Sequence, residues 1–375
     1  MIKPGMGGAQ RWPISDKPPL CVMIYDSGSV KERTGVGRNM GPKMAVVGTG
    51  YWGRNHVRTL SALAGEGVIS GLVVCDVDAE RAKMMADEFN CEWCTDASEL
   101  SSMGVIATTI ATPTPQHAPL AIDLMNGGIH VLVEKPLAMN KEEAVEILNC
   151  AEKTGMVLMV GHLFRYHAAI RKAAELIKSG ALGTILHIES ERLSVREPRP
   201  DIGVIAALAI HDMDIMKDLM GDTDADEISC IALPSDTQNI EDHAIIEMQF
   251  PNGCGHNPNG VTALVSVSWR SRIQGKVRSL RIIGRDASLA IDYLDHSGLW
   301  IHHHPNNAHG QEWGGFDAAP RERIELPLGE PSLTAELRAF INHVSGKNPA
   351  TPLASGLVGL NGVKMVDLAL CAARK

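Results

Sequence analysis

The chain predicts an α/β fold in two parts: a parallel sheet first, then an α+β region with a large, mostly antiparallel open sheet. Three observations predict it. A glycine-spaced turn, Gly48-Thr49-Gly50-Tyr51-Trp52-Gly53, joins the apolar run Met44–Val47 to a helix-like segment. Strand-like and helix-like stretches then alternate as far as Val160, the rhythm of right-handed βαβ units. After about Gly183 the apolar period shortens to two, as in half-buried antiparallel strands.

Residues 1–43 hold seven Lys/Arg against three Asp/Glu, with seven Gly and five Pro, and read as a flexible N-terminal extension. Gly35-Val36-Gly37 mimics a phosphate loop there, but Pro42 blocks the helix such a loop needs. An overextended start, with Met40 or Met44 as the initiator, is an alternative reading. From residue 44 the expected elements are a helix over Tyr51–Leu63, a strand over Leu72–Cys75 and a helix after its N-cap Asp78, reaching Phe89. Strands over Gly104–Ala111, Ile129–Val133 and Met156–Val160 follow, with helices over Gln116–Met125 and from the N-cap Asn140 to Thr154. The first domain is placed at 44–163. The second, at 164–375, is expected to hold strands near Ile185–Arg192, His243–Phe250, Thr262–Trp269 and Leu280–Gly284, with helices over Leu208–Met220, Leu333–Val344 and Gly356–Ala373.

A formal net charge of −9 argues against a general attraction to nucleic acid or anionic membrane. No uninterrupted apolar stretch approaches the roughly 20 residues that span a bilayer, and no basic-then-apolar leader opens the chain, so the cytoplasm is the expected location. Eight cysteines in 375 residues do not form a disulfide framework. Cys91 and Cys94 read as inward thiols of a short strand, and neither they nor Cys254 with His256 has the second pair a zinc site needs; no metal is expected.

Between a strand and a helix, the glycine turn builds a dinucleotide site. Gly48 allows the tight turn, Gly50 lets backbone approach a pyrophosphate, and Gly53 lets helix and strand pack closely. The free N–H groups of the helix N-terminus suit the phosphates. Asp76, ending the second apolar run, would accept hydrogen bonds from an adenosine ribose diol and repel a 2′-phosphate, so NAD is expected over NADP. The parallel sheet therefore reads as a Rossmann domain.

Ligands of such sheets lie beyond the carboxyl ends of the strands. Three ends carry chemistry: Thr112-Pro113, Glu134-Lys135-Pro136 and Gly161-His162. Lys135 sits where a nicotinamide should lie, able to hold a hydroxyl oxygen; a solvated strand-end lysine is the plain alternative. On a helix, Ala207, His211 and Asp214 share one face, and His211 has the right proton affinity for a base, although a packed helix-face histidine is commoner.

These pieces together resemble the glucose–fructose oxidoreductase / inositol dehydrogenase / MocA family over roughly residues 44–373. The likeness rests on the glycine turn, Asp76, Thr112-Pro113 with His117, Glu134-Lys135-Pro136, Gly161-His162-Leu-Phe-Arg165, and His211 with Asp214. It implies a Rossmann domain followed by a substrate-binding domain whose open sheet often joins copies, hence a homodimer or homotetramer. It also implies oxidation or reduction of sugar, cyclitol or nucleotide-sugar hydroxyls. Carried onto this chain, Lys135, His211 and Asp214 are the catalytic residues. The cofactor is held by the turn residues Gly48, Gly50, Tyr51, Trp52 and Gly53 with Asp76, Thr112, Pro113, His117, Glu134, Lys135 and Arg165. A narrower likeness, to UDP-N-acetylglucosamine 3-dehydrogenases, rests on Asp201-Ile-Gly-Val-Ile205 running into Leu208–Asp214. It makes a UDP-N-acetylhexosamine the expected substrate, touching His162, Asp201, Lys135 and His211. Arg192, Arg196 and Arg199 suit diphosphate oxygens, although a solvated basic loop has the same composition. An inositol or free-sugar dehydrogenase and a non-catalytic dinucleotide- or sugar-binding regulator are the alternatives. The last draws on a departure: the family usually has aspartate four residues before the histidine, where this chain has Ala207, so that Asp214 or Asp212 would have to substitute.

Overall fold

The computed structural model describes residues 41–198, 201–237, 240–251, 257–272, 275–304, 320–327, 329–347 and 353–373. Arg199 and the segment 1–40 lie outside these residues, as do Cys254 and His256.

The first sheet has six parallel strands: β1 (Lys43–Val47), β2 (Gly71–Cys75), β3 (Glu92–Cys94), β4 (Ala107–Ile110), β5 (His130–Val133) and β6 (Leu158–Val160). Their order, β3-β2-β1-β4-β5-β6, reverses beside β1, which opens the crevice of a Rossmann sheet at that point. The crossovers are helices α1 (Gly53–Gly65), α2 (Ala79–Phe89), α3 (His117–Asn126) and α4 (Lys141–Thr154). Two expected caps form: Asp78 accepts from the Arg81 amide and Asn140 from the Glu143 amide, satisfying donors that a helix start leaves open. Of the two expected inward thiols, Cys94 is buried opposite Cys75 in the ladder, while Cys91 lies just before the strand and is half-buried.

The second half opens with α5 (Ala168–Lys178) and β7 (Ile185–Leu193), then α6 (Ile210–Leu219) and strands β8 (Glu227–Pro234), β9 (Glu241–Phe250) and β10 (Val261–Ser268). Strands β11 (Val277–Gly284), β12 (Ala287–Asp292), β13 (Gly298–His303) and β14 (Arg321–Glu325) complete a sheet ordered β14-β13-β12-β11-β7-β10-β9-β8. Only the central β7–β10 pair is parallel; the other neighbours are antiparallel. One face buries Ile188, Ala244, Ile246, Val265 and Ile282 under α5 and α6, while Ile231, Ile245 and Leu264 stand exposed on the other.

Two features differ from the sequence expectation. Helices α7 (Ser332–Val344) and α8 (Gly356–Ala373), assigned with the second domain, pack back onto the first sheet. Leu337 and Phe340 join the core over Met44 and Val46, and Leu360 and Val363 join the core over Val131 and Val160. By length and composition α8 is apolar enough to cross a membrane, but its Leu360 and Val363 are buried in the first core and its Met365, Val366 and Ala369 in the second. The helix expected over Leu208–Met220 starts as a π turn, Ile205–Ala209, before α6 begins. That widened turn shifts the phase between Ala207 and His211.

The α7 packing buries Glu336 completely, with no partner for either carboxylate oxygen among the described residues. Burial, then the neighbouring Glu134 charge, holds its proton well above the usual carboxylate range. The folded chain keeps a proton that the unfolded chain releases above the ordinary glutamate value of 4.5, so this group's contribution falls as pH rises from there. Glu336→Gln removes the proton requirement at constant shape. The expected result is a melting temperature little changed at pH 4 and higher than wild type at pH 8, with the gap widening by about 1.4 kcal/mol per pH unit across the window. Thermal melts at several pH values check this; a gap independent of pH would mean Glu336 is ionised in the folded state.

Candidate active site

The glycine turn has the shape a dinucleotide requires. Gly48 has φ +86°, where an added Cβ would lie 2.8 Å from Thr112 Cγ2, and a Cβ on Gly53 would lie 1.8 Å from the Gly48 carbonyl oxygen. Around Gly50, by contrast, nothing comes within 4 Å of an added Cβ, so the backbone there is open to a ligand. No side chain caps the N-terminus of α1. These features fit a pyrophosphate held on backbone N–H groups.

Asp76 is buried at the end of β2, with Oδ2 accepting from the Thr49 amide and hydroxyl, both at 2.8 Å, and Oδ1 from the Asp78 amide at 3.0 Å. Burial works to raise its proton affinity, but those bonds and Arg81 hold it below the ordinary aspartate value. It thus ties the glycine turn to β2 and would present a carboxylate to the ribose of a bound NAD. Tyr51 stands exposed at the tip of the turn. The Trp52 indole donates to Glu134 Oε1 at 2.6 Å, and His56 Nε2 meets the same oxygen at 3.0 Å. Glu134 Oε2 accepts from the Lys135 amide at 3.2 Å, so one buried carboxylate braces the glycine turn, α1 and the Lys135 turn together.

The Lys135–Pro136 peptide is cis. His117 bridges the two strand ends rather than facing outward: Nδ1 lies 2.8 Å from the Pro136 carbonyl oxygen and Nε2 3.0 Å from that of Thr112. It therefore fixes the backbone at Thr112 and Pro136. Lys135 Nζ leaves the first sheet and donates to the carbonyl oxygen of Ala207 at 2.8 Å, one turn before His211. His211 is buried, and its Nδ1 has no partner among the described residues. Burial, then Lys135 and Arg192, hold this imidazole well below the ordinary histidine value. Lys135 and His211 thus share one neighbourhood, and the buried His162, whose Nδ1 lies 3.5 Å from Asp214 Oδ2, feels the charges of both Asp214 and Lys135.

Three expected site residues are held in buried ion pairs. Asp214 is locked by Arg165, whose Nε lies 3.0 Å from both carboxylate oxygens and whose Nη2 lies 2.8 Å from Oδ1. Arg165 also meets Asp218 and Asp222, which makes it the hub of an acidic cluster. Asp214 is thus held by a guanidinium, with His162 Nδ1 near its Oδ2. Arg192 is 3% exposed, bonded through Nε to Asp212, and packed between the Phe164 and Tyr293 rings. It is a buried side chain of β7, not part of a solvated basic loop. Arg196 is exposed over the Trp269 ring at 5.5 Å, and Asp201 is half-buried. Asp212 and Asp214 are thus each paired with an arginine.

Sequence reasoning missed His56, Glu336, Arg278, Tyr293 and Phe164. The last packs edge-on to His211 with ring centroids 5.2 Å apart. Phe164 lies inside the Gly161–Arg165 motif without being singled out there, and no local motif marks the other four.

Residues 42–162 match the profile of a family described as "Oxidoreductase family, NAD-binding Rossmann fold", and residues 170–290 match the "GFO/IDH/MocA C-terminal domain". The chain is 29% identical over 308 residues to UDP-N-acetylglucosamine 3-dehydrogenase of Acidithiobacillus ferrooxidans, covering 82% of this chain and 90% of that protein. The solved structure of that enzyme superposes with a TM-score of 0.71 at 26% identity, covering 89% of this chain and 98% of the other. Scyllo-inositol 2-dehydrogenase (NAD(+)) of Bacillus subtilis (strain 168) is 26% identical over 273 residues, covering 69% of this chain and 76% of that protein.

Proposed function

Because the chain belongs to the GFO/IDH/MocA family of NAD-binding oxidoreductases, we propose that it oxidises a secondary hydroxyl of a UDP-linked N-acetylhexosamine, at the sugar's 3-position. The observation that carries this reading is the convergence of Lys135 and His211: an ammonium bonded to the backbone one turn before an imidazole that burial and that same charge keep neutral. The similarity to a UDP-N-acetylglucosamine 3-dehydrogenase over 82% of the chain favours the UDP-sugar, and the exposed Arg196 offers a guanidinium for its diphosphate.

Bound NAD supplies the hydride acceptor. The turn 48–53 and Asp76 would hold it, and the chain's own side chains handle the proton. Lys135 donates a hydrogen bond to the substrate hydroxyl oxygen and stabilises negative charge as it develops there. Neutral His211 takes the hydroxyl proton; its depressed affinity makes that form dominant at neutral pH. Phe164 and the buried His162 limit water around the reacting oxygen.

The test is NADH formation by the purified protein with UDP-N-acetylglucosamine, other UDP-sugars and myo-inositol. Turnover is expected with UDP-N-acetylglucosamine at a rate limited by Ala207, and Ala207→Asp should raise kcat/KM by about tenfold or more by restoring a carboxylate beside Lys135. NAD binding without turnover of any substrate, unchanged by Ala207→Asp, would instead support a dinucleotide-binding regulator, the reading Ala207 itself favours. Faster turnover of myo-inositol than of any UDP-sugar would move the assignment to a cyclitol dehydrogenase. The same reading has the enzyme working as a homodimer or homotetramer joined through the open sheet face at Ile231, Ile245 and Leu264, all exposed in one copy.

A further inference from the structure

Behind His211 the second sheet holds an unusual charge arrangement. Arg192 on β7 and Arg278 on β11 are direct partners in an antiparallel ladder, so two guanidinium side chains leave the same face side by side. Like charges in that position destabilise a sheet. One carboxylate answers them: Asp212 binds Arg192 through Nε. Arg192 Nη2 remains buried with no partner among the described residues, and so does the Tyr293 hydroxyl. Arg278 is only half-buried, and its Nη1 donates to the backbone carbonyl oxygens of Leu193 at 3.2 Å and Val277 at 2.8 Å.

The rings of Phe164 and Tyr293 lie 4.2 Å and 5.0 Å from the Arg192 guanidinium, so most of its surface is shielded from water. Burial and the neighbouring Arg192 push the Arg278 guanidinium down to about 10, a sign that the positive charge is under-compensated. His211 and His167, the nearby imidazoles, are both held neutral by burial and add no charge. Two cations therefore stand against one anion beside the reacting centre, connected to it by the Phe164–His211 contact. Arg192 Nη2, the Tyr293 and Ser190 hydroxyls and Asp212 Oδ1 are all buried and unpartnered among the described residues.

We propose that Arg192, Arg278 and the Tyr293 hydroxyl form a subsite for one oxyanion of the substrate, a carboxylate or a phosphoryl group. The group that docks there brings the missing negative charge and accepts from Arg192 Nη2 and Tyr293. This deepens the reading of His211 as the reacting centre and rests on it. A neutral polyol offers nothing to such a site, so the subsite selects acidic or phosphorylated sugars over inositol-like ones.

Isothermal titration of the full-length protein tests it with four probes: UDP, UDP-N-acetylglucosamine, UDP-N-acetylglucosaminuronate and myo-inositol. Arg278→Met is expected to raise Kd by about tenfold or more for at least one anionic probe, and Arg278→Lys to stay within about threefold, with myo-inositol unaffected by either. Equal weakening of all three UDP ligands identifies a phosphoryl group as the occupant; weakening of the uronate alone identifies a sugar carboxylate. The proposal is overturned if wild type binds none of the anionic probes, if Arg278→Met binds them all within about twofold of wild type, or if Arg278→Lys loses as much as Arg278→Met. Charge-dependent binding without NADH formation from any sugar would leave the subsite standing and remove the dehydrogenase reading.

Discussion

Lys135→Met is expected to lower kcat/KM by about a thousandfold while NAD binds within about threefold of wild type. Methionine keeps the aliphatic stem, so the Lys135–Pro136 turn and its bond from the Lys135 amide to Glu134 stay in place. What disappears is the ammonium that reaches the Ala207 carbonyl oxygen at 2.8 Å and stands beside His211. A positioned cation at a developing oxyanion is worth about 3–4 kcal/mol in the transition state, and little in the binding of a cofactor held mainly by backbone and Asp76. Steady-state kinetics with NADH fluorescence titration separates the two effects. An equal fall in NAD affinity and turnover would make Lys135 a cofactor ligand only. The same variant also removes a positive neighbour of His211, so any residual activity should show an acid limb displaced to higher pH.

His211→Asn carries the second large effect, a loss of about a hundred- to ten-thousandfold in kcat with a changed pH profile. The sign follows from the site. Burial, Lys135 and Arg192 all disfavour the charged imidazole, so its folded value lies well below the ordinary 6.5. The base form is therefore complete at neutral pH, and wild-type kcat/KM should stay flat there and fall only as pH drops well below 6.5. Asparagine has no proton to exchange in that range, so the variant's residual rate should lose this acid limb. An acid limb that survives in His211→Asn belongs to another group, and the assignment of the base to His211 would be withdrawn. His162, buried and also held low, is the first place such a limb would be sought.

Much of the architecture was legible from the chain. The glycine turn and the two Asx-type caps are marked by a few adjacent residues, and Asp76 by its place at the end of an apolar run. The second sheet announced itself through period-two burial, which β9 and β10 show almost residue for residue. Less legible was the start of the His211 helix. A regular helix would set Ala207 squarely below His211, whereas the π turn over Ile205–Ala209 offers Lys135 a carbonyl oxygen there instead. Nor did the sequence show that the last two helices would cover the first sheet, since their apolar faces suit either core.

The chain by itself determined the fold class, the dinucleotide turn and the chemical identity of Lys135 and His211, because strand-to-turn geometry and side-chain type are local properties. Only the tertiary structure decided what the remaining charges do. Arg165 claims Asp214 from 49 positions away, and Arg192 claims Asp212 from 20. A buried charge must be matched by whichever opposite charge the packing brings near, and spacing along the chain carries no record of that choice.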